Sequence, residues 1–377
     1  MPTHLERFLA VMEYQPVDRV PNWELGVWPQ TVDIWEEEDP ETRRLHYQWF
    51  PGEASLGMDP KEFIPFQPNM IPAFDEETLE EDERTITFRD SLGRVRKALK
   101  EGTTRGGRMS MDTYVDFPVT DMASWREIKK RYEMLPRRYE PNWQETRAAG
   151  WHARQHPLIF GPNCTTLGFY WHARDLMGTE PLSYALFDQP ELVHDIMEFH
   201  ADFLIEAARP ILEMTTVEYV CFNEDLSMKT GPLISPKAYR TFIFPRLKRV
   251  IEFYKSHGCR YIAIDTDGNP TVLIPLLMEA GVDTIWPIER ASEVSPQEWR
   301  REFGRDLRLW GGVDKRVLAT TRENIRAHLA EFIPLIEEGG FIPSVDHTVP
   351  PDVSWDNFRY YLDAKQALLA GEFGKLG

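Results

Sequence analysis

The stretch RYIAIDTDGNPTVLIPLLMEAGVDTIWPIER, residues 260–290, reads as strand, turn, helix and strand. Its first apolar run ends in Asp265-Thr266-Asp267-Gly268, a turn composition. A helical pattern follows over about 270–280, and a second apolar run begins near Thr284. Near-continuous apolar runs are the mark of strands buried on both faces, and a helix between two of them is the unit of a parallel sheet.

The same grammar recurs on both sides. Apolar runs ending in polar or Gly-rich residues lie at 156–164, 217–225, 307–314 and 340–347, with helical patterns at 190–213, 236–257, 321–337 and 354–370. VPNWELGVW (20–28) and ASLGMD (54–59) bring the units to eight. No Gly-rich dinucleotide fingerprint follows any strand, so the α/β class resolves to a (β/α)8 TIM barrel rather than an open doubly wound sheet. The expected organisation is a single barrel domain over 1–377.

The N-terminal third adds to this frame. Thr3 and Glu6 have the spacing of a capping box before Leu5, Phe8, Leu9 and Met12. TITFRDSLGRVRKAL alternates around Ser91-Leu92-Gly93 and predicts a β-hairpin, inserted over 85–119. A helix is expected at about 121–134, capped by Asp121 or Ser124. The acidic runs EEEDPE and DEETLEEDE read as solvated helix faces.

Composition bounds the function. With 43 Lys+Arg against 61 Asp+Glu the net charge is −18, which argues against nucleic-acid binding through a basic surface. No apolar stretch reaches the ~18 residues of a membrane span, and residues 1–20 do not read as a signal peptide, so the expected address is the cytoplasm. The three cysteines, Cys164, Cys221 and Cys259, form no CxxC and read as reduced thiols.

In a barrel of this kind the chemistry belongs at the C-terminal ends of the strands. Those ends carry Glu24, Asp59, Asn163, Cys164, Glu224, Asp225, Asp265, Asp267, Glu289, Asp314, Asp346 and His347. So many carboxylates would repel one another unless a metal, arginines or raised pKa values compensate. Asp265 and Asp267, at i and i+2, would share a face of a strand and, with His347, make an oxygen/nitrogen site for zinc or another divalent metal. Glu224, Asp225, Asp267 and His347 are the candidates for proton transfer. Trp23, Glu24, Asn163, Tyr170, Trp171, Glu289 and Trp310 are the candidates for substrate contact, with Trp28 and Trp286 adding to an aromatic, acidic pocket. Such a pocket would attract flat rings and cations, a methoxy-aromatic or a quaternary amine. Gly311-Gly312 ahead of Asp314, Lys315 and Arg316 reads either as an anion-holding helix start or as a tight turn.

Taken together, the segments resemble the uroporphyrinogen decarboxylase superfamily, which includes cobalamin- and coenzyme-M-linked methyltransferases. The resemblance rests on ERFLAVMEYQPVDRVPNW, LISPKAYRTFIFPRLKRVIEFYKSHG (233–258), IDTDGNPTVLIPLLMEAGVDTIWPIE (264–289), WGGVDKRVLA and GFIPSVDHTVPPDVSWDNFRYYLDA. It implies an enzyme. The decarboxylases carry an N-terminal P-x-W-x-M-R-x-x-G-R element whose arginines bind substrate carboxylates; here Gly26 stands where the first arginine would be. The thiol-activating methyltransferases carry His-x-Cys-Gly and Cys-Gly-x-P-P; the matching positions here hold Asp265-Thr266-Asp267-Gly268 and His347 before Pro350-Pro351. The resemblance therefore implies methyl transfer from a small methylated, non-thiol substrate to a corrinoid- or folate-type acceptor. The corrinoid would reside on a partner protein, because no D-x-H-x-x-G motif is present. The alternatives are a metal-free decarboxylase of a tetrapyrrole or other carboxylated aromatic, and a non-catalytic ligand-binding barrel. A homodimer is compatible with all three.

Overall fold

Six of the expected apolar runs, joined by a short strand that was not expected, form one parallel sheet in a computed structural model that describes residues 1–45, 53–64, 66–108, 110–160 and 167–375. The strands Glu62–Ile64, Leu158–Phe160, Tyr219–Asn223, Tyr261–Asp265, Thr284–Trp286, Arg308–Trp310 and Phe341–Ile342 lie side by side in chain order. An order that never reverses has no topological switch point, unlike a doubly wound sheet. Register follows from the ladder: Asp265 pairs with Asn223 on one side and with Trp286 on the other.

The segment 20–28 makes a single bridge, Val27 to Val349, rather than a ladder. Its backbone also reaches the other edge, where the amide of Asp59 donates to Asn22 O at 2.9 Å. The expected strand at 54–59 is a correction. Ala54–Leu56 is a turn of 3-10 helix closed by Gly57 at φ +69, and the strand comes later, at Glu62–Ile64. Asp59 therefore precedes its strand and is absorbed by Arg19, at 2.6 Å from each carboxylate oxygen.

Alternation along each strand builds two cores. Val220, Phe222, Ile262, Ile264, Ile285, Leu309 and Phe341 pack outward with the helices. Tyr219, Tyr261, Ala263, Trp310 and Ile342 point inward, where Phe8, Val11 and Met12 of the helix His4–Met12 plug them. That helix has the expected capping box, with Glu6 N donating to Thr3 Oγ1 at 3.1 Å and Thr3 N to Glu6 Oε2 at 2.7 Å. Each large apolar side chain taken fully out of water contributes about 1.5–3 kcal/mol, so the plug matters to stability as well as to shape.

Prolines divide two expected helices. The 236–257 pattern becomes Pro236–Phe242 and Phe244–Ser256, with Pro245 at the start of the second piece; 321–337 becomes Arg322–Ala330 and Ile333–Glu338, with Pro334 likewise. Pro lacks the amide a continuous helix would need there.

The 85–119 region holds the strands Thr85–Arg89 and Val95–Leu99, paired antiparallel, within a four-stranded sheet completed by Glu77–Glu81 and Thr113–Asp116. One acidic run is thus an exposed strand, not a helix face; Glu77 pairs with Arg89 and Glu81 with Lys100, each at 2.8 Å. The helix expected at 121–134 spans Met122–Lys129, capped by Asp121, and continues as 3-10 helix to Tyr132. Among the described residues no helix is long and apolar enough to cross a membrane.

Candidate active site

The ladder of the Tyr261–Asp265 strand ends at Asp265, and the chain turns at once. Thr266 N donates to Trp286 O at 3.0 Å, and its hydroxyl accepts from Leu226 N at 3.1 Å. Gly268 has φ +78, and a Cβ there would lie 2.6 Å from Ser227 O. The turn thus requires glycine, and it presents Asp267 at the mouth formed by the C-terminal ends of the strands. There Asp267 Oδ2 lies 3.3 Å from His347 Nε2. The other ring nitrogen of His347 is 2.8 Å from Thr348 Oγ1, and the ring stacks near Trp28, 6.4 Å between centroids at 27°.

Burial would push the His347 pKa down, but the hydrogen bond and charge of Asp267 outweigh it, so the net shift is upward from 6.5. Asp225 stands nearby at φ +41, a strained backbone for a residue with a side chain. Burial and the negative charge of Asp267 raise its pKa to about 6, against the pull of Arg174. Arg174 donates to the Asp225 carbonyl at 3.0 Å and approaches its carboxylate at 3.5 Å. Glu289 accepts from the Gly268 amide at 3.2 Å and pairs with Lys315 at 3.1 Å, so it braces the loop that carries Asp267.

Other candidates are drawn elsewhere. Asp265 is buried and accepts from Asn223 Nδ2 at 2.6 Å, while Asp267 turns to His347. The i, i+2 argument fails because only Asp265 is still in the strand. Among the described residues no three His, Cys, Asp or Glu side chains are grouped to hold a metal ion. The expected set of Asp265, Asp267 and His347 does not fit one.

Glu224 is fully buried and accepts from the amides of Phe169 and Tyr170, at 3.0 and 2.7 Å, at the start of the helix Phe169–Met177. Burial raises its pKa to about 7 against those bonds. Those two bonds cap the helix. Tyr170 lies in the outer core, and Trp171 donates to Asp175 at 2.8 Å with Arg174 over its ring. Glu24 is held by Lys365 and the Tyr361 hydroxyl, both at 2.5 Å, and by Val345 N at 2.9 Å. Asp346 accepts from the amides of Arg290 and Lys315, and Asp314 pairs with Arg316. The anion-holding reading of Gly311-Gly312 fails: their amides donate to Ile342 O and Pro287 O, which leaves the tight turn. Asn163 and Cys164 lie outside the described residues.

Inside the half-barrel a small cavity of about 40 Å³ is bounded in part by Trp23, Lys61, Phe63, Cys221, Trp286 and Trp310. Trp23 and Trp310, two of the predicted substrate contacts, are therefore where a pocket exists. Trp286 Nε1 donates to Cys221 Sγ at 3.0 Å. The residue that sequence reasoning missed is Lys61, whose ammonium lies over the Trp23 ring at 5.1 Å and the Phe63 ring at 5.5 Å. A signal was available: Lys61 and Phe63 are i and i+2 about the start of a strand and so share its inner face. The cation expected among these aromatics is the chain's own.

Comparison with known proteins agrees with this architecture. Residues 172–368 match the family model described as "Uroporphyrinogen decarboxylase (URO-D)". A uroporphyrinogen decarboxylase of Crocosphaera subtropica is 26% identical over 221 residues, 55% of this chain and 59% of that protein. One of Prochlorococcus marinus is 23% identical over 193 residues, 48% of this chain and 50% of that protein. The chain thus matches only about half to three-fifths of the length of these relatives. A solved methyltransferase from Methanosarcina mazei superposes with a TM-score of 0.59 over 97% of this chain and 99% of that one, at 14% identity, which is a likeness of fold.

Proposed function

Because the chain belongs to the uroporphyrinogen decarboxylase family, whose members are enzymes, we propose that it transfers a methyl group from a small methylated substrate to a corrinoid- or folate-type acceptor. The observation that carries this reading is the Asp267–His347 pair, 3.3 Å apart at the mouth, with the His347 pKa shifted upward by its partner, beside an aromatic cavity. When the bond from methyl carbon to oxygen or nitrogen breaks, its electrons stay on the leaving atom. A proton delivered from the pair to that atom avoids releasing an anion, the usual role of a general acid. The methyl carbon passes to the acceptor, carried by a separate molecule or partner protein. In the same reading, residues 20–28 take the eighth place in the ring of strands.

The second reading is decarboxylation, in which the same pair would protonate the carbon that loses carbon dioxide. The sequence likeness to decarboxylases favours it. Weighing against a polycarboxylate substrate, Arg174 and Lys315 at the mouth are each already set against an acid, Asp225 and Glu289. Burying unpaired carboxylates is costly.

The two readings separate in one assay. The chain is incubated with reduced cobalamin or tetrahydrofolate and methoxylated aromatics, and in parallel with uroporphyrinogen, with demethylated product and carbon dioxide followed. Demethylated product with no carbon dioxide is expected; carbon dioxide from uroporphyrinogen without demethylation would promote the decarboxylase.

A further inference from the structure

The four-stranded sheet of residues 77–116 follows the strand Glu62–Ile64 in the chain, so it emerges at the C-terminal strand ends, where a β/α fold of this kind keeps its chemistry. We propose that its strand Val95–Leu99 is a bridge that sets the placement of His347 relative to Asp225, with Arg94 and Gln30 as positioning residues at the two ends. The assignment rests on the methyl-transfer reading only for turnover, and on the geometry alone for the placement of the side chains.

One end of the bridge holds the helix beside Asp225. Arg94 pairs with Asp90 at 2.8 Å and with Asp175 of the helix Phe169–Met177. Asp175 also accepts from Trp171 Nε1 at 2.8 Å. The Arg174 guanidinium lies 4.5 Å from the centroid of that same Trp171 ring and donates to the Asp225 carbonyl at 3.0 Å. The side chains of Arg94 and Asp175 are only 12% and 16% exposed, so salt screens their attraction little. Arg96 and Arg108 are committed to Asp90 and Asp112, and neither stands in for Arg94.

The other end grips the helix Pro29–Glu38, which carries the loop of His347. Gln30 Nε2 donates to Gly102 O at 2.8 Å and to Gly107 O at 3.3 Å, and Arg105 donates to Asp33 at 2.7 Å. Pro29 closes over Gly107, where a Cβ would lie 2.4 Å from its ring. At this helix start, Trp28 N and Thr31 Oγ1 both donate to Val349 O, at 3.1 and 2.8 Å, and the Trp28 ring stacks near His347. Between the two grips, Val95–Leu99 is paired on both sides, with Thr85–Arg89 and Thr113–Asp116, which makes it stiff. Its five residues span roughly 16 Å, beyond the ~7–10 Å over which unlinked sites influence one another. An effect carried from one end to the other is therefore the mark of the bridge.

NMR of the full chain tests the bridge through the ring C–H signals of His347 and the Nε–H signal of Arg174. The variants are Arg94→Met, Arg94→Lys, Gly107→Ala and, on the exposed edge strand Glu77–Glu81, the control Glu80→Gln. Arg94→Met cuts the first grip, and Gly107→Ala wedges a methyl group against Pro29. Each should move the signals at both ends, so that Arg94→Met shifts the His347 ring although that ring lies beyond the far grip. Arg94→Lys keeps the charge and should restore most of the original positions, and Glu80→Gln should move neither signal. In methyl transfer, both grip variants should lower kcat about tenfold with KM within about twofold, since a group displaced by a fraction of an ångström costs rate more than binding. Shifts confined to the altered end, or equal shifts in Glu80→Gln, would overturn the bridge. If Arg94→Met fails to fold, Gly107→Ala and the distant Arg174 signal decide. Signals that move at both ends, without methyl transfer in any of the proteins, leave the bridge standing and remove the reaction. Methyl transfer at full rate in Arg94→Met, with His347 unmoved, does the reverse.

Discussion

The carboxylates in the wall of the half-barrel and those at its mouth arise from the same pattern, an acid after an apolar run, and meet different surroundings. Glu24, Glu224 and Asp346 are buried and saturated. Lys365, Tyr361 and Val345 hold the first, two amides at a helix start hold the second, and the Arg290 and Lys315 amides hold the third. Asp225 and Asp267 remain partly open to solvent and act on one another electrostatically, with Arg174 beside the first and His347 beside the second. An acid in the wall is engaged by the fold, whereas one at the mouth is still open to a substrate. Variants in the wall should therefore change stability, and variants at the mouth should change chemistry.

The largest expected effect is at the mouth. Replacing His347 with Gln should lower methyl-transfer turnover by about 10²–10⁴-fold, the usual worth of a general acid, with little change in a denaturant midpoint. An equal loss of stability would erase the distinction between the regions.

Next comes the wall. Lys365→Met leaves Glu24 buried beside a vanished partner, with side chains that are 0% and 2% exposed in the intact pair. Breaking such a pair costs about 3–5 kcal/mol, readable by urea unfolding, while the His347 titration should stay where it was.

A smaller effect sharpens the contrast through pH. The folded pKa of Glu224 is raised to about 7 from 4.5 by burial, against its amide bonds. A raised carboxyl pKa means the folded state holds the proton more tightly. Its contribution is present in full below about pH 4.5 and is lost as pH rises through about 7. Glu224→Gln should therefore cost more stability at pH 5 than at pH 8. His172 and His200, stacked at 4.1 Å and lowered by burial, act oppositely: their contribution is present above 6.5 and lost as pH falls through their folded values, about 4 for His200. A Glu224→Gln penalty that grows towards pH 8 would place that carboxylate with the mouth.

What could be read in the sequence depended on burial. Strands covered on both faces announce themselves, so Tyr261–Asp265 and its neighbours were legible as unbroken apolar runs. Glu62–Ile64 has three residues among prolines and acids, too few to show a period, and ASLGMD was taken in its place. The run Glu77–Glu81 is wholly exposed and has no buried face to betray its strand. At the site, Asp267 and His347 were legible because both follow strands that end at the mouth. Lys365 was not, although its face of the helix Trp355–Leu369 also carries Tyr361 and Leu368, which puts a charge where an apolar residue is expected. Glu24 and Glu224 looked reactive only because their partners lie far along the chain, at 365 and beyond a loop at 169–170.

The central claim is that Asp267 raises the pKa of His347 at the C-terminal ends of the strands. It is tested most directly by following the His347 ring through a pH titration by NMR, in the unaltered chain and in Asp267→Asn. In the unaltered chain the ring should titrate above 6.5. In the variant, burial and the charge of Lys315 are no longer outweighed, and the pKa should fall below 6.5. The same titration in both proteins would contradict the account.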